Sequence, residues 1–233
     1  MSNIQITENE SGKYSPEWFY NEAQKPEWIA FIRKADTLHE NFINHFGIEH
    51  LKSLSGKELL TSLFYNDKGN KLNLCYVLEM DKDMREIFGS IAGGAAYKFG
   101  LFFHKKTQSW TCGSPAKPVK LTENEAIQKA EEIRNDLVAG AEIISSFGPL
   151  NSTADYEQLY KQLEHISGIN TVWRMKYYQM LFPILFAPFY GQDIQLDVLH
   201  FLNQTPSEIP FIRMGQIALF SKKCNIPSIV FGH

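Results

Sequence analysis

FGSIAGGAAYKFGLFFHKKTQSW, residues 88–110, passes from small residues into an alternating aromatic run, a lysine pair and a tryptophan. Residues 97–104 read as a β-strand, Lys105-Lys106-Thr107 as a reversal, and residues 108–112 as the returning strand. Gly113-Ser114-Pro115 ends the hairpin. Strand alternation puts Tyr97, Phe99, Leu101 and Phe103 on one face and Lys98, Gly100, Phe102 and His104 on the other. The first is a core face. The second mixes base, glycine, aromatic ring and imidazole, which suits either a cleft that accepts a flat ring or plain core packing of the aromatic side chains.

The surroundings of this stretch set the fold class. Downstream, Thr122 with Glu125 forms a capping box. It opens a helix whose apolar stripe is Ala126, Ile127, Ala130, Ile133, Leu137, Ala141 and Ile144, stopped at Phe147-Gly148-Pro149. Upstream, residues 72–80 (LNLCYVLEM) read as another strand after a turn at residues 66–70. A helix from Pro26 carries Trp28, Phe31, Ile32, Ala35, Leu38, Phe42 and Phe46 at helical spacing, with Gly47 as its stop. Ser55 with Glu58 predicts a second capping box ahead of Leu59, Leu60 and Leu63. Beyond residue 150 four helical segments follow, at 155–165, 171–181, 193–202 and 214–223. The expected architecture is α+β: a small antiparallel sheet with flanking helices, followed by a mostly helical subdomain. It divides into a polar arm (1–25), an α/β recognition domain (26–148) and a helical subdomain (149–233).

The 233 residues carry a net charge of -3, so no global affinity for polyanions is expected. Charge is local instead. Between Glu86 and Glu123 there is no acidic residue, while Lys98, Lys105, Lys106, Lys117, Lys120 and His104 fall inside that interval. Lysines on loops and strand ends hold phosphates. They also blunt exposed sheet edges, and both readings stand. Gly89, Gly93, Gly94 and Gly100 fit neither GxxxxGK[ST] nor GxGxxG. They read as close backbone packing or as backbone approach to a ligand.

Catalytic signatures are missing from the chain. No Asp or Glu is followed two residues on by Lys, no GxSxG elbow occurs, and the HExxH-like stretch at His39 has Ile43 where the second histidine belongs. No enzyme activity, cofactor or metal is expected. Cys75, Cys112 and Cys224 are dispersed, which suits a reduced, cytoplasmic protein without membrane contact.

The order of a strand, FGSIAGGAAYKFGLF, a hairpin closed by Trp110 and Gly113, and the helix EAIQKAEEIRNDL resembles the N-terminal specificity region of McrB-like AAA+ GTPases of modification-dependent restriction systems. VWRMKYYQMLFP is similar to the W-x-x-KY-x-x-L-x-P segment of large restriction-associated AAA proteins, and RMGQIALFSKKCNIP to their helical tail. No Walker A loop is present, so NTP hydrolysis is not implied for these residues. What the resemblance implies is DNA recognition in a restriction or antiphage system, with a methylated cytosine flipped into an aromatic pocket. The partners would be DNA and an AAA+ GTPase motor with its nuclease subunit, in cis or in trans. Tyr97, Phe102 and Trp110 would be stacking walls, beside Gly93 and Gly94. Lys98, Lys105 and Lys106 would hold phosphate, with His104, Lys117 and Lys120 in the same basic segment. Arg174 and Lys176, with Trp173 and Tyr177, would offer a second surface, although Trp173 and Tyr177 at i and i+4 also suit core packing. The rival reading is a protein-interaction module without nucleic-acid contact.

Overall fold

Capping decides where the helices begin. In the computed structural model, which describes residues 15–64, 72–93 and 96–232, Ser15 accepts a hydrogen bond from the Trp18 N–H and opens α1 (Pro16–Ala23). The segment read as a polar arm is therefore helical from Pro16 onward. Pro26 sits in the first turn of α2 (Pro26–Phe46), where its missing N–H costs nothing, and the Gly47 N–H closes on the Ile43 carbonyl at 2.8 Å. α3 (Ile48–Ser53) and α4 (Gly56–Leu63) follow. Ser55 is the N-cap of α4, but its side chain makes no capping bond, so the expected box is not formed.

Residues 72–80 are a correction. They hold α5 (Leu74–Glu79), not a strand. The Asn73 side chain accepts the Tyr76 N–H at 2.9 Å, and Leu74, Cys75 and Leu78 are buried at helical spacing. A nine-residue apolar run does not distinguish strand from helix by periodicity, whereas a cap does. Asp81 caps α6 (Lys82–Phe88) in the same way, and Gly89 ends it at φ 73°. The turn read at 66–70 lies outside the described residues.

The strand expected at 97–104 begins later. Ala96–Phe99 is a 3-10 turn, and Gly100, at φ 81°, donates its N–H to the Tyr97 carbonyl at 3.0 Å. A left-handed glycine cannot continue a strand. β1 (Leu101–His104), β2 (Ser109–Ser114) and β3 (Lys117–Leu121) then form an antiparallel sheet in the order β1-β2-β3. β3 lies beyond the expected end of the hairpin and is an added strand. Its Pro118 sits on an edge strand, where a missing N–H is tolerated.

The Thr122–Glu125 capping box forms as expected and opens α7 (Glu123–Ser146), which packs across all three strands and against α4. The Arg134 guanidinium on α7 donates to the Leu51 and Leu54 carbonyls at 2.8 and 2.9 Å, fixing the end of α3. After Phe147 and Gly148, a Ser152–Asp155 capping box starts α8 (Thr153–Leu163). α9 (Val172–Leu181) is buried on every side from Trp173 to Leu181, as a helix through the middle of a core must be. α10 (Gln192–Phe201), α11 (Pro210–Cys224) and the 3-10 turn Ser228–Gly232 complete the chain.

The fold is thus α+β, a three-stranded antiparallel sheet among helices with a helical C-terminal part. One buried cluster runs through residues on both sides of 148. Tyr177 donates to the Phe46 carbonyl at 3.0 Å and Tyr178 to the Asp136 carbonyl at 3.3 Å, so α9 is bonded to both α2 and α7. No helix among the described residues is long and apolar enough to cross a membrane.

Candidate nucleic-acid interface

Register determines what the sheet can present. Across β1 and β2 the pairs are Leu101 with Cys112, Phe102 with Thr111, Phe103 with Trp110 and His104 with Ser109. Directly opposed residues share a face. Trp110 therefore lies with Phe103, their ring centroids 5.4 Å apart, while Phe102 lies on the other face with Tyr97 at 4.6 Å. The three rings expected to wall one pocket are divided between two faces. Phe102 and Trp110 are also both only 6% exposed. A pocket built from Tyr97, Phe102 and Trp110 is corrected on both counts. Gly93, at φ 120°, is exposed, but its carbonyl accepts the Lys98 ammonium at 2.9 Å. Gly94 lies outside the described residues.

The cations divide just as sharply. Lys98 is ion-paired with Glu79 and donates to the Ile91 carbonyl at 2.9 Å as well as to Gly93. Arg174 is 5% exposed and bridges to Asp136 at 3.3 Å. Lys176 is fully buried, its ammonium on the Gly89 carbonyl at 2.6 Å, and burial together with nearby Arg85 lowers its pKa to about 7. Trp173 and Tyr177 are core residues. Lys98, Arg174 and Lys176 have their donors committed inside the molecule, so the expected second surface on α9 is absent.

Lys105, Lys106, Lys117 and Lys120 remain, all exposed. None forms an ion pair among the described residues. Elsewhere several lysines reach carboxylates: Lys34 to Asp83 at 2.5 Å, Lys52 to Glu142 at 2.6 Å, Lys57 to Glu123 at 2.9 Å and Lys129 to Glu132 at 2.7 Å. The sheet is different because residues 87–122 supply no carboxylate.

Lys105 and Lys106 cap the β1–β2 turn, and Lys117 stands at the β2–β3 turn. Five residue steps along β2 separate the two ends by about 17 Å. Lys120 pairs with Thr111 and so shares the face of Phe102 and His104. The β1–β2 turn is held by its own polar groups. Gln108 sits at φ 47°, and its side-chain amide donates to the Lys105 carbonyl at 2.8 Å. The Thr107 N–H donates to His104 Nδ1 at 3.2 Å, which leaves the neutral ring's proton on Nε2. The half-buried imidazole is thus a fixed donor beside the lysine pair.

The sequence reading ends the hairpin at residues 113–115 and so misses that Lys120 belongs to the sheet face. Lys-Pro-Val-Lys, alternating with an edge-strand proline, was the available signal. Among the described residues no group of three His, Cys, Asp or Glu side chains could hold a metal ion. Comparisons with protein-family models, with curated proteins and with solved structures find no match.

Proposed function

We propose that the three-stranded sheet is a nucleic-acid contact surface that holds phosphates, and that the protein serves as a DNA-binding module working with an AAA+ motor and a nuclease of the McrB-like kind. One observation carries this reading: Lys105, Lys106, Lys117 and Lys120 form an exposed, uncompensated positive surface on a protein whose other exposed lysines largely meet carboxylates. His104 adds a donor to the same strip. The proposal is confined to the backbone, because Trp110 and Phe102 stand back to back across the sheet. Phosphate contact of this kind positions a duplex and reads no sequence.

Salt dependence tests it. Four phosphate contacts on a duplex give a slope of log affinity against log salt of about −3.6, a loss of roughly a hundredfold between about 50 and 200 mM salt. Lys105→Glu/Lys106→Glu should at least halve that slope in fluorescence anisotropy titrations with a labelled duplex. No binding at the low-salt end, or affinity indifferent to salt, would remove the reading and leave the lysines as protection for the edge strand β3.

A further inference from the structure

β3 is an edge of the sheet, and the outer part of the β2–β3 hairpin is exposed on both faces. Every residue from 113 to 120 is exposed, whereas Trp110 and Thr111 on the same ribbon are buried. Strand pairing nevertheless persists to the last pair, Ser114 with Lys117. Gly113 permits it: at φ 91° it lies so close to β3 that a Cβ would fall 2.5 Å from the Lys117 carbonyl oxygen. The Ser114 hydroxyl accepts the Lys117 N–H at 3.3 Å and closes the turn. A hairpin held by its own turn and exposed on both faces is a preformed arm.

The chemistry of the arm is narrow. Lys117 and Lys120, three residues apart on a strand, stand on opposite faces. The carboxylates that follow in the chain, Glu123 and Glu125, are engaged by Lys57 and by the Thr122 cap. Val119 lies between the two lysines and is 51% exposed. Residues 113–120 contain no amide, carboxylate or guanidinium side chain, so the arm lacks the groups that pair with adenine or accept from cytosine. Duplex DNA offers a site of matching shape. Edge-on, a sheet with its side chains is about 10 Å thick. The minor groove, about 6 Å wide, excludes it, and the major groove, about 12 Å wide, admits it. With β3 foremost, Lys117 and Lys120 face phosphates on opposite walls and Val119 meets the base edges. Among the four unmodified bases, the apolar group on those edges is the thymine C5-methyl.

We propose that the β2–β3 hairpin enters the major groove of duplex DNA and that Val119 packs against a thymine methyl group, which gives the protein a preference for A·T pairs. This inference rests on the reading of the sheet as a phosphate-holding surface. The test is a set of anisotropy titrations of the full chain with an alternating A·T duplex and with the same duplex carrying uracil for every thymine, which removes the methyl groups alone. The thymine duplex should bind about fourfold more tightly, the value of burying one methyl group. Val119→Ser should equalise the two affinities, Val119→Ile should keep the preference, and netropsin, a minor-groove ligand, should not displace the protein. Equal affinities in the wild type, with the salt slope intact, would overturn this inference and leave the phosphate reading standing. Absence of low-salt binding, or of salt dependence, would remove both. A thymine preference that survives Val119→Ser, or displacement by netropsin, would also overturn the groove contact. The wild-type comparison stands even if a Val119 variant fails to fold.

Discussion

Lys176→Met should flatten a rise in stability that the wild-type protein shows between about pH 7 and 8. Lys176 is fully buried on α9, donates to the Gly89 carbonyl at 2.6 Å, and has its ammonium 5.7 Å from the Tyr190 ring centre. Burial is the main cause of its low pKa. The positive charge of Arg85 adds to it, and Asp81 opposes it. In the folded protein the lysine releases its proton near pH 7; unfolded, it does so near 10.5. Between these values the unfolded chain binds the extra proton, so raising the pH favours folding. Below pH 7 the lysine is charged in both states and contributes no slope. The buried Cys75 and Cys224 above about pH 8, and Tyr177, Tyr178 and Tyr190 above about pH 9, act in the opposite sense, because burial raises each pKa and unfolding lets each ionise. The clean window is therefore pH 7 to 8. The slope rises from half of about 1.4 kcal/mol per pH unit towards the whole of it as the folded-state lysine becomes neutral, so the wild type should gain about 1 kcal/mol across that window. Urea melts with a slope of about 2 kcal/mol/M would show this as a midpoint shift of about 0.5 M. In Lys176→Met the shift should vanish, and the midpoint at pH 7 should rise despite the lost bond to Gly89, which is worth about 1 kcal/mol. A pH profile for the variant parallel to that of the wild type would refute the reasoning.

Two further outcomes follow from local geometry. Gly215 on α11 sits where an added Cβ would overlap the Tyr156 ring, which is 1% exposed and bonded to the Leu185 carbonyl at 2.6 Å; Gly215→Ala should lower the thermal midpoint by several degrees, consistent with about 1–3 kcal/mol of overpacking. Thr122→Ala should raise the Glu125 pKa in an NMR titration, because the Thr122 N–H and hydroxyl, both 2.7 Å from Glu125 Oε2, hold that carboxyl below its ordinary range; the wild-type contribution is lost as pH falls through the folded value, and the variant should lack that part of the acid dependence.

Where a structural decision is local, the residues announce it. Thr122 and Glu125 start α7 because two side chains three apart satisfy each other's backbone, and Phe147-Gly148 ends it because Gly148 takes φ 94°. α5 was equally local, but its signal was one residue, Asn73, against an apolar run that suits either helix or strand. Burial of charge is another matter. Arg174 finds Asp136 across 38 residues, and Lys176 finds the Gly89 carbonyl across 87. Nothing within VWRMKYYQMLFP distinguishes a lysine destined for a distant carbonyl from one aimed at solvent. A 480 Å³ cleft between α2 and α11, lined by Ile32 and Ala218 among others, escapes sequence reading for the same reason, because its walls come from helices far apart in the chain.

The aromatic pocket failed on a matter of one residue. Had β1 and β2 paired one position out, Trp110 would have joined Phe102 and Tyr97 on a face open to a planar base. The turn forbids it. Four residues connect His104 to Ser109, Gln108 takes the left-handed conformation that closes such a loop, and the Thr107 N–H on His104 ties the first strand to the reversal. With that register fixed, both large rings are spent on packing and the β1–β2 ribbon retains charge alone. In the proposed reading, charge arranged over about 17 Å would hold a phosphate backbone without reading bases. In the proposed assembly, discrimination between modified and unmodified DNA therefore has to come from outside the β1–β2 ribbon.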